Sequence, residues 1–185
     1  MFVIDGGHRL SALRSWVEDD YGDGHLSFKY FGSDNYVLEN LNLTIPANKI
    51  TAIVGTSGSG KTTLMKLLLK FYEPNTGDIS IGKTSLKNIA QKPWRNHVGT
   101  VMQEGFIFND SIANNIAVGV ESIKKDRLLY ASDVANIKTL IQEYPLGYNT
   151  KIGAEGIGMS TGQKQRLLIA RSVYKNPEML FFDEA

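Results

Sequence analysis

The chain has 185 residues, enough for one domain with a buried core, and its 42% apolar and 21% charged side chains are the balance of a folded globular protein. A formal net charge of +1 gives no global field that would draw it to nucleic acid or an acidic membrane. The lack of cysteine excludes disulfides, zinc–thiolate sites and a thiol nucleophile; no apolar run approaches the roughly 18 residues that cross a bilayer, so the chain as it stands is expected to be soluble.

Met1 to Gly24 carries the weakest pattern. Leu10, Leu13 and Trp16 or Val17 recur at helical spacing, and Glu18-Asp19-Asp20-Tyr21-Gly22-Asp23-Gly24 reads as a linker. His8 and His25 read as surface side chains, since neither has a spaced His, Asp or Glu partner. Strand patterns begin at His25 to Tyr30 and return over Val37 to Ile45, where Leu41, Leu43 and Ile45 alternate. After the turn Pro46-Ala47-Asn48-Lys49 comes a buried-strand run, Ile50 to Val54, so an antiparallel sheet is expected beside a parallel one. Tyr30 or Phe31 is either a core aromatic at a strand end or a ring on which a base stacks.

The next stretch is Gly55-Thr56-Ser57-Gly58-Ser59-Gly60-Lys61-Thr62-Thr63, followed by the apolar helix pattern Leu64 to Leu69. Strand, glycine loop and helix in that order are the context that G-x-x-x-x-G-K-[ST] requires of a phosphate-binding loop. The glycines let backbone N–H groups approach phosphate oxygens, and the positive end of the following helix faces the same anion. Lys61 then supplies a point charge near the β- and γ-phosphates, and the Thr62 hydroxyl a magnesium ligand.

The helix from Lys61 is expected to run to Phe71-Tyr72, where Glu73-Pro74-Asn75-Thr76-Gly77 stops it. Short strands are expected at Asp78 to Gly82 and at Val98 to Met102. Gln103, at the end of the latter, either orients a water, completes a magnesium shell or caps the strand. From Glu104 to Met159 helical patterns dominate, over Asp110 to Ile116, Lys124 to Ala135 and Ile137 to Glu143, with no strong strand. A glycine-rich loop, Lys151 to Gly158, leads into a helix over Ser160 to Lys175. Ser160 and Gln163 form a capping box, which also suits a second phosphate site at that helix start. The chain closes on Leu180-Phe181-Phe182-Asp183-Glu184-Ala185, a buried strand delivering Asp183 to a magnesium and Glu184 to an attacking water.

From about Leu26 to Ala185 the chain resembles the nucleotide-binding domain of ATP-binding cassette (ABC) transporters. The phosphate loop, the glutamine loop Val101-Met102-Gln103, the signature Met159-Ser160-Thr161-Gly162-Gln163 and the acidic pair Asp183-Glu184 stand in the family's order. The resemblance implies an α/β fold: a P-loop NTPase (RecA-like) core with an antiparallel β subdomain and a helical signature subdomain. It implies a connector at 1–24 and a nucleotide-binding domain at 25–185, with 25–103 and 165–185 as core and 104–164 as helical part. Tyr30 takes the place of the adenine-stacking aromatic. The stretches Phe106 to Ile116 and Tyr148 to Gly153 resemble exporters.

The implied function is ATP binding and hydrolysis, with Mg2+, coupled to export across a membrane from its cytoplasmic face. The implied partners are a transmembrane domain and a second nucleotide-binding domain, paired head to tail. One domain supplies Tyr30, the loop Gly55 to Thr63, Gln103, Asp183 and Glu184; the other supplies Ser160, Gly162 and Gln163. Nucleic acid is not an expected partner. The alternatives are a non-hydrolysing regulatory ATP-binding module and, more remotely, a DNA-repair or chromosome-structure ATPase, against which the lack of sustained heptads speaks. Thr161 replaces a signature glycine, which weakens the contact across the dimer or marks an asymmetric partner. Ala154 stands where exporters carry Glu, with Glu155 one place on. The domain is expected to be cut short after Asp183-Glu184, without the family's switch histidine, so the chain alone is expected to hydrolyse little ATP.

Overall fold

The structure, a computed structural model, describes residues 2–5, 25–102 and 105–183. Gln103, Glu184, His8, the helical pattern over 8–17 and the acidic linker at 18–24 lie outside the described residues. The chain divides into two units, one up to Arg95 and one over Asn96–Asp183.

In the first unit Phe2–Asp5, where the sequence suggested no strand, forms β1. It pairs parallel with β4 (Thr51–Val54), Asp5 lying opposite Val54. An antiparallel pair, β2 (Leu26–Phe28) and β3 (Leu38–Leu41), aligns Leu26 with Leu41 and Phe28 with Leu38. The alternating pattern predicts a strand to Ile45, but β3 stops at Leu41. Within β3 Asn40 takes φ 51, in the left-handed region, and its N–H donates to Ser27 Oγ at 3.0 Å, which goes with a register shift before Leu41 pairs with Leu26. Leu26, Phe28 and Leu38 pack against Leu64 and Leu67 of α1 (Lys61–Leu68) to form this unit's core. Each such side chain contributes about 1.5–3 kcal/mol by leaving water.

Helix α1 ends before the predicted Phe71-Tyr72. Lys70 adopts φ 56, its N–H donates to Leu67 O at 3.0 Å, and Phe71 N–H reaches back to Lys66 O at 2.9 Å. This is the helix stop that glycine usually provides. A side chain there costs about 1–2 kcal/mol. The Lys70 amine offsets that strain by donating to Leu86 O at 2.6 Å and Ile89 O at 2.5 Å. A small hairpin, β5 (Ser80–Ile81) and β6 (Thr84–Ser85), replaces the longer strand expected over Asp78 to Gly82. Then comes α2 (Gln91–His97), whose Trp94 indole N–H donates to Leu68 O at 2.7 Å.

In the second unit β7 (Val98–Val101) and β10 (Met179–Asp183) run parallel, Phe182 opposite Val101. The helices are α3 (Ile112–Ile116), α4 (Lys125–Val134), α5 (Lys138–Glu143) and α6 (Thr161–Tyr174). They enclose Ile112, Ile116, Ile137, Ile141, Ile152 and Leu167, all essentially without solvent contact. The Tyr174 hydroxyl accepts from Lys124 N–H at 3.0 Å and so closes the start of α4. The sequence placed no strong strand between Glu104 and Met159. The structure puts a two-residue ladder there, β8 (Asp110–Ser111) against β9 (Lys151–Ile152), too short to show alternation. Among the described residues no helix is long and apolar enough to cross a membrane.

Candidate functional site

Strand β4 ends at Val54 and the glycine loop follows it directly into α1. Gly58 and Gly60 take φ 79 and 87. At Gly60 more than the backbone angle forbids a side chain: a Cβ would lie 2.7 Å from Leu38 Cδ2 and 3.1 Å from Val37 O. As the N-cap of α1, Gly60 offers its first-turn amides no side-chain acceptor, and that turn carries no acidic residue. The positive end of the helix is therefore unneutralised by its own sequence, the arrangement an anion completes.

The Lys61 amine turns into the loop. It donates to Gly55 O at 2.8 Å and Thr56 O at 2.9 Å, with Ser59 Oγ at 3.5 Å, and the residue is only 9% exposed. Ser59 N–H closes a turn onto Thr56 O at 3.2 Å. Thr56, Ser57, Gly58 and Ser59 are exposed around this buried cation. A ring of accessible backbone around one ammonium, at a helix N-terminus, suits a polyphosphate.

Thr62 is half-buried and Thr63 buried in the first turn of α1. The Thr63 hydroxyl lies 3.2 Å from the Tyr30 hydroxyl. Phe28 and Tyr72 meet the Tyr30 ring edge-on, with centroids at 5.2 and 5.5 Å. Tyr30 remains 38% exposed and so keeps surface for another ring, whereas Phe31 projects wholly into solvent.

In the second unit the register of β10 on β7 carries Asp183 one step past Val101, at the C-terminal end of the pair, where it is 3% exposed. The signature residues open α6. Ser160 Oγ accepts from Gln163 N–H at 3.3 Å, and Gln163 Oε1 accepts from Ser160 N–H at 2.9 Å. The capping box expected from the sequence is thus formed. Thr161 and Gly162 are exposed, and a Cβ on Gly162 would meet only Arg166 Nη1, at 3.9 Å. Glu155, one place past Ala154, accepts from Asn109 Nδ2 at 2.9 Å.

The structure therefore brings Tyr30 to Thr63, and Lys61 to the loop Gly55 to Gly60, in the first unit; Asp183 lies at the end of β10 and the signature turn at the start of α6, both in the second. Sequence reasoning passed over Arg171 and Asn115. Asn115 is fully buried, and Arg171 holds Asn115 O at 2.7 Å and Phe106 O at 2.8 Å. Burial pushes the Arg171 guanidinium below its ordinary pKa. The available signal was an arginine flanked by Ala170 and Ser172 in the apolar half of a helix.

Over residues 38–185 the sequence matches the ABC transporter family. It is 43% identical over 182 residues to ABC transporter B family member 13 of Arabidopsis thaliana, covering 98% of this chain and 14% of that protein. To the alpha-hemolysin translocation ATP-binding protein HlyB of Escherichia coli O157:H7 it is 40% identical over 170 residues, 91% of this chain and 24% of the relative. A solved structure of a bacterial Atm1-family ABC exporter with ATP bound aligns with a TM-score of 0.80 at 38% identity, over 86% of this chain and 28% of that one. The chain spans less than a third of the length of each of these relatives.

Proposed function

The chain belongs to the ABC transporter family, and from that premise we propose that it is the ATP-binding part of an exporter, coupling ATP binding and hydrolysis to movement of a substrate across a membrane. The observation that carries this reading is the Lys61 amine held by Gly55 O and Thr56 O inside an exposed glycine loop, at the uncapped start of α1. The likeness to an exporter solved with ATP bound supports it.

Each residue has a distinct task. The loop amides from Gly55 to Thr63 bind and orient the phosphates, and Lys61 neutralises charge on the γ-phosphate. The Tyr30 ring, fixed by its bond to Thr63, supports the base. Mg2+ suits the oxygen donors that Thr62 and Asp183 supply, since it is usually held by one or two carboxylates together with substrate phosphates. Asp183 is a buried carboxylate at a strand end, and carboxylate oxygen is the usual protein donor to this cation. When bound, the metal draws negative charge from the phosphates. Gln103 orients the attacking water and Glu184 accepts its proton. Ser160, Gly162 and Gln163 reach the γ-phosphate of a second, head-to-tail copy of this domain, and closure excludes water from both sites. A transmembrane domain is the remaining partner, and the working place is the cytoplasmic face of a membrane.

The test is ATP turnover by the full-length protein that contains this chain, with Glu184→Gln beside it. The variant is expected to bind ATP as the parent does and to lose phosphate release. Undiminished turnover in Glu184→Gln would remove that residue from the reaction. A parent that neither binds nor hydrolyses ATP would overturn the whole reading.

A further inference from the structure

Helix α6 holds the chain on either side of Gln103. Lys175 Nζ donates to Val98 O at 2.9 Å and Ser172 Oγ to Thr100 O at 2.6 Å, both on β7. Arg171 Nη1 donates to Phe106 O at 2.8 Å, beyond Gln103. Between these anchors Gly105 lies against Leu168, and a Cβ there would collide with it. One face of α6, from Leu168 to Lys175, thus grips both flanks of the glutamine loop.

The grip on the far flank is shared with Asn115. Arg171 Nε donates to Asn115 O at 2.7 Å and Nη2 to Asn115 Oδ1 at 3.2 Å. That same Oδ1 accepts from Phe108 N–H at 2.8 Å, while Asn115 Nδ2 donates to Phe108 O at 2.9 Å and Ser111 O at 3.0 Å. The Arg171 guanidinium also lies 5.3 Å from the centre of the Phe108 ring. Residues 105–109 have no helix or ladder of their own. Arg171 and Asn115 satisfy polar backbone groups that secondary structure would otherwise satisfy.

The cost of this arrangement points to its use. A half-buried guanidinium directed at neutral oxygens is desolvated without the return an ion pair gives. A fixed planar fork holds several oxygens at set angles, which an apolar side chain or a lysine does not. What the arginine supplies is geometry.

We propose that Arg171, with Asn115, is a positioning residue for the ATPase reaction. The pair locks Gly105–Asp110, the segment that follows Gln103, to α6, whose first turn carries the signature residues. A shift of the signature end of α6 is then obliged to move the glutamine-loop flank with it. The inference rests on the function proposed above. It predicts that loosening the clamp harms the chemical step and spares nucleotide binding, which belongs to the phosphate loop.

The test uses the full-length protein with Arg171→Lys and, separately, Asn115→Leu, which keeps the bulk and loses both the oxygen that accepts the Phe108 amide and the amide donors. Three readouts are taken: ATP Kd by calorimetry, kcat and KM by phosphate release, and hydrogen exchange at the Phe108 amide. The expected result is a kcat lower by about 10–100-fold, the effect of small misplacement at a reacting centre. Kd is expected to stay within about twofold, with faster exchange at Phe108. An unchanged kcat in both variants would overturn the proposal. So would a parallel loss of ATP affinity and thermal stability, which marks a purely structural role. Unaltered exchange at Phe108 would dispose of the clamp itself. A parent without ATP binding or turnover would instead sink the functional reading, and the exchange measurement would still decide the clamp.

Discussion

Replacing Lys61 by Met removes the ammonium and keeps most of the stem, so the effect on ATP affinity isolates the charge. In the loop that ammonium is engaged at 2.8 Å from Gly55 O and 2.9 Å from Thr56 O. Hydrogen bonds to a charged group contribute about 1.5–3 kcal/mol each. A phosphate oxygen near 4 Å attracts the amine by about 4 kcal/mol at an effective dielectric constant of about 20. A triphosphate carries several charges, but reaching them loosens the two carbonyl bonds. With two phosphate charges in range the attraction is about 8 kcal/mol, and losing both carbonyl bonds takes back about 3–6, which leaves about 2–5 kcal/mol, or roughly 30- to 5,000-fold in Kd. The assay is titration calorimetry of ATP–Mg into both chains, with circular dichroism to establish that Lys61→Met is folded. Equal affinities would refute the phosphate-loop assignment. A loss beyond about 10⁴-fold would refute the narrower claim that the loop carbonyls compete for the amine.

Gly60→Ala forces a side chain onto φ 87, costing about 1–2 kcal/mol, and drives its Cβ toward Leu38 and Val37 O. A total loss of about 2–4 kcal/mol in urea unfolding is expected, and a neutral change would contradict the packing of the loop against β3. Ser160→Ala breaks the capping box and is expected to lower stability by about 1 kcal/mol in a thermal melt. ATP affinity of the monomeric chain should not move, because Ser160 is proposed to serve a partner's nucleotide; a fall would place its contact in cis. Hydrogen bonds from Asn114 Nδ2 at 2.9 Å and Ser111 N–H at 2.6 Å hold the Asp110 carboxyl below its ordinary pKa. The unfolded chain then binds more protons in that window, so this stabilisation is present above about pH 4 and fades as pH falls through the lowered folded value. Acid titrations of stability should show the extra loss in the parent and not in Asp110→Asn.

The order strand, glycine loop, helix was legible because its determinants sit next to one another. Glycines that permit φ 79 and 87, an apolar run before them and a helix pattern after them all lie within a few residues. The same holds for the Ser160–Gln163 box, which needs partners only three residues apart. It holds too for β10, a compact apolar run ended by Asp183. Periodicity and capping are local forces, and a sequence displays them directly.

What the tertiary structure decided depends on residues far apart in the chain. Phe2–Asp5 has no alternation of its own and is a strand because β4 offers it a parallel edge. The register shift within β3 follows from Ser27 capturing the amide of Asn40, and the end of α1 from Lys70 finding the carbonyls of Leu86 and Ile89. Arg171 and Phe106 stand 65 residues apart. A guanidinium in a helix gives no sign of which carbonyl it will meet until the fold has brought that carbonyl within reach. Local preference thus wrote the glycine loop, the helix cap and the acidic strand into the sequence. Packing, which alone sets the direction of a long polar side chain, chose the contacts that hold the glutamine-loop flank to its helix.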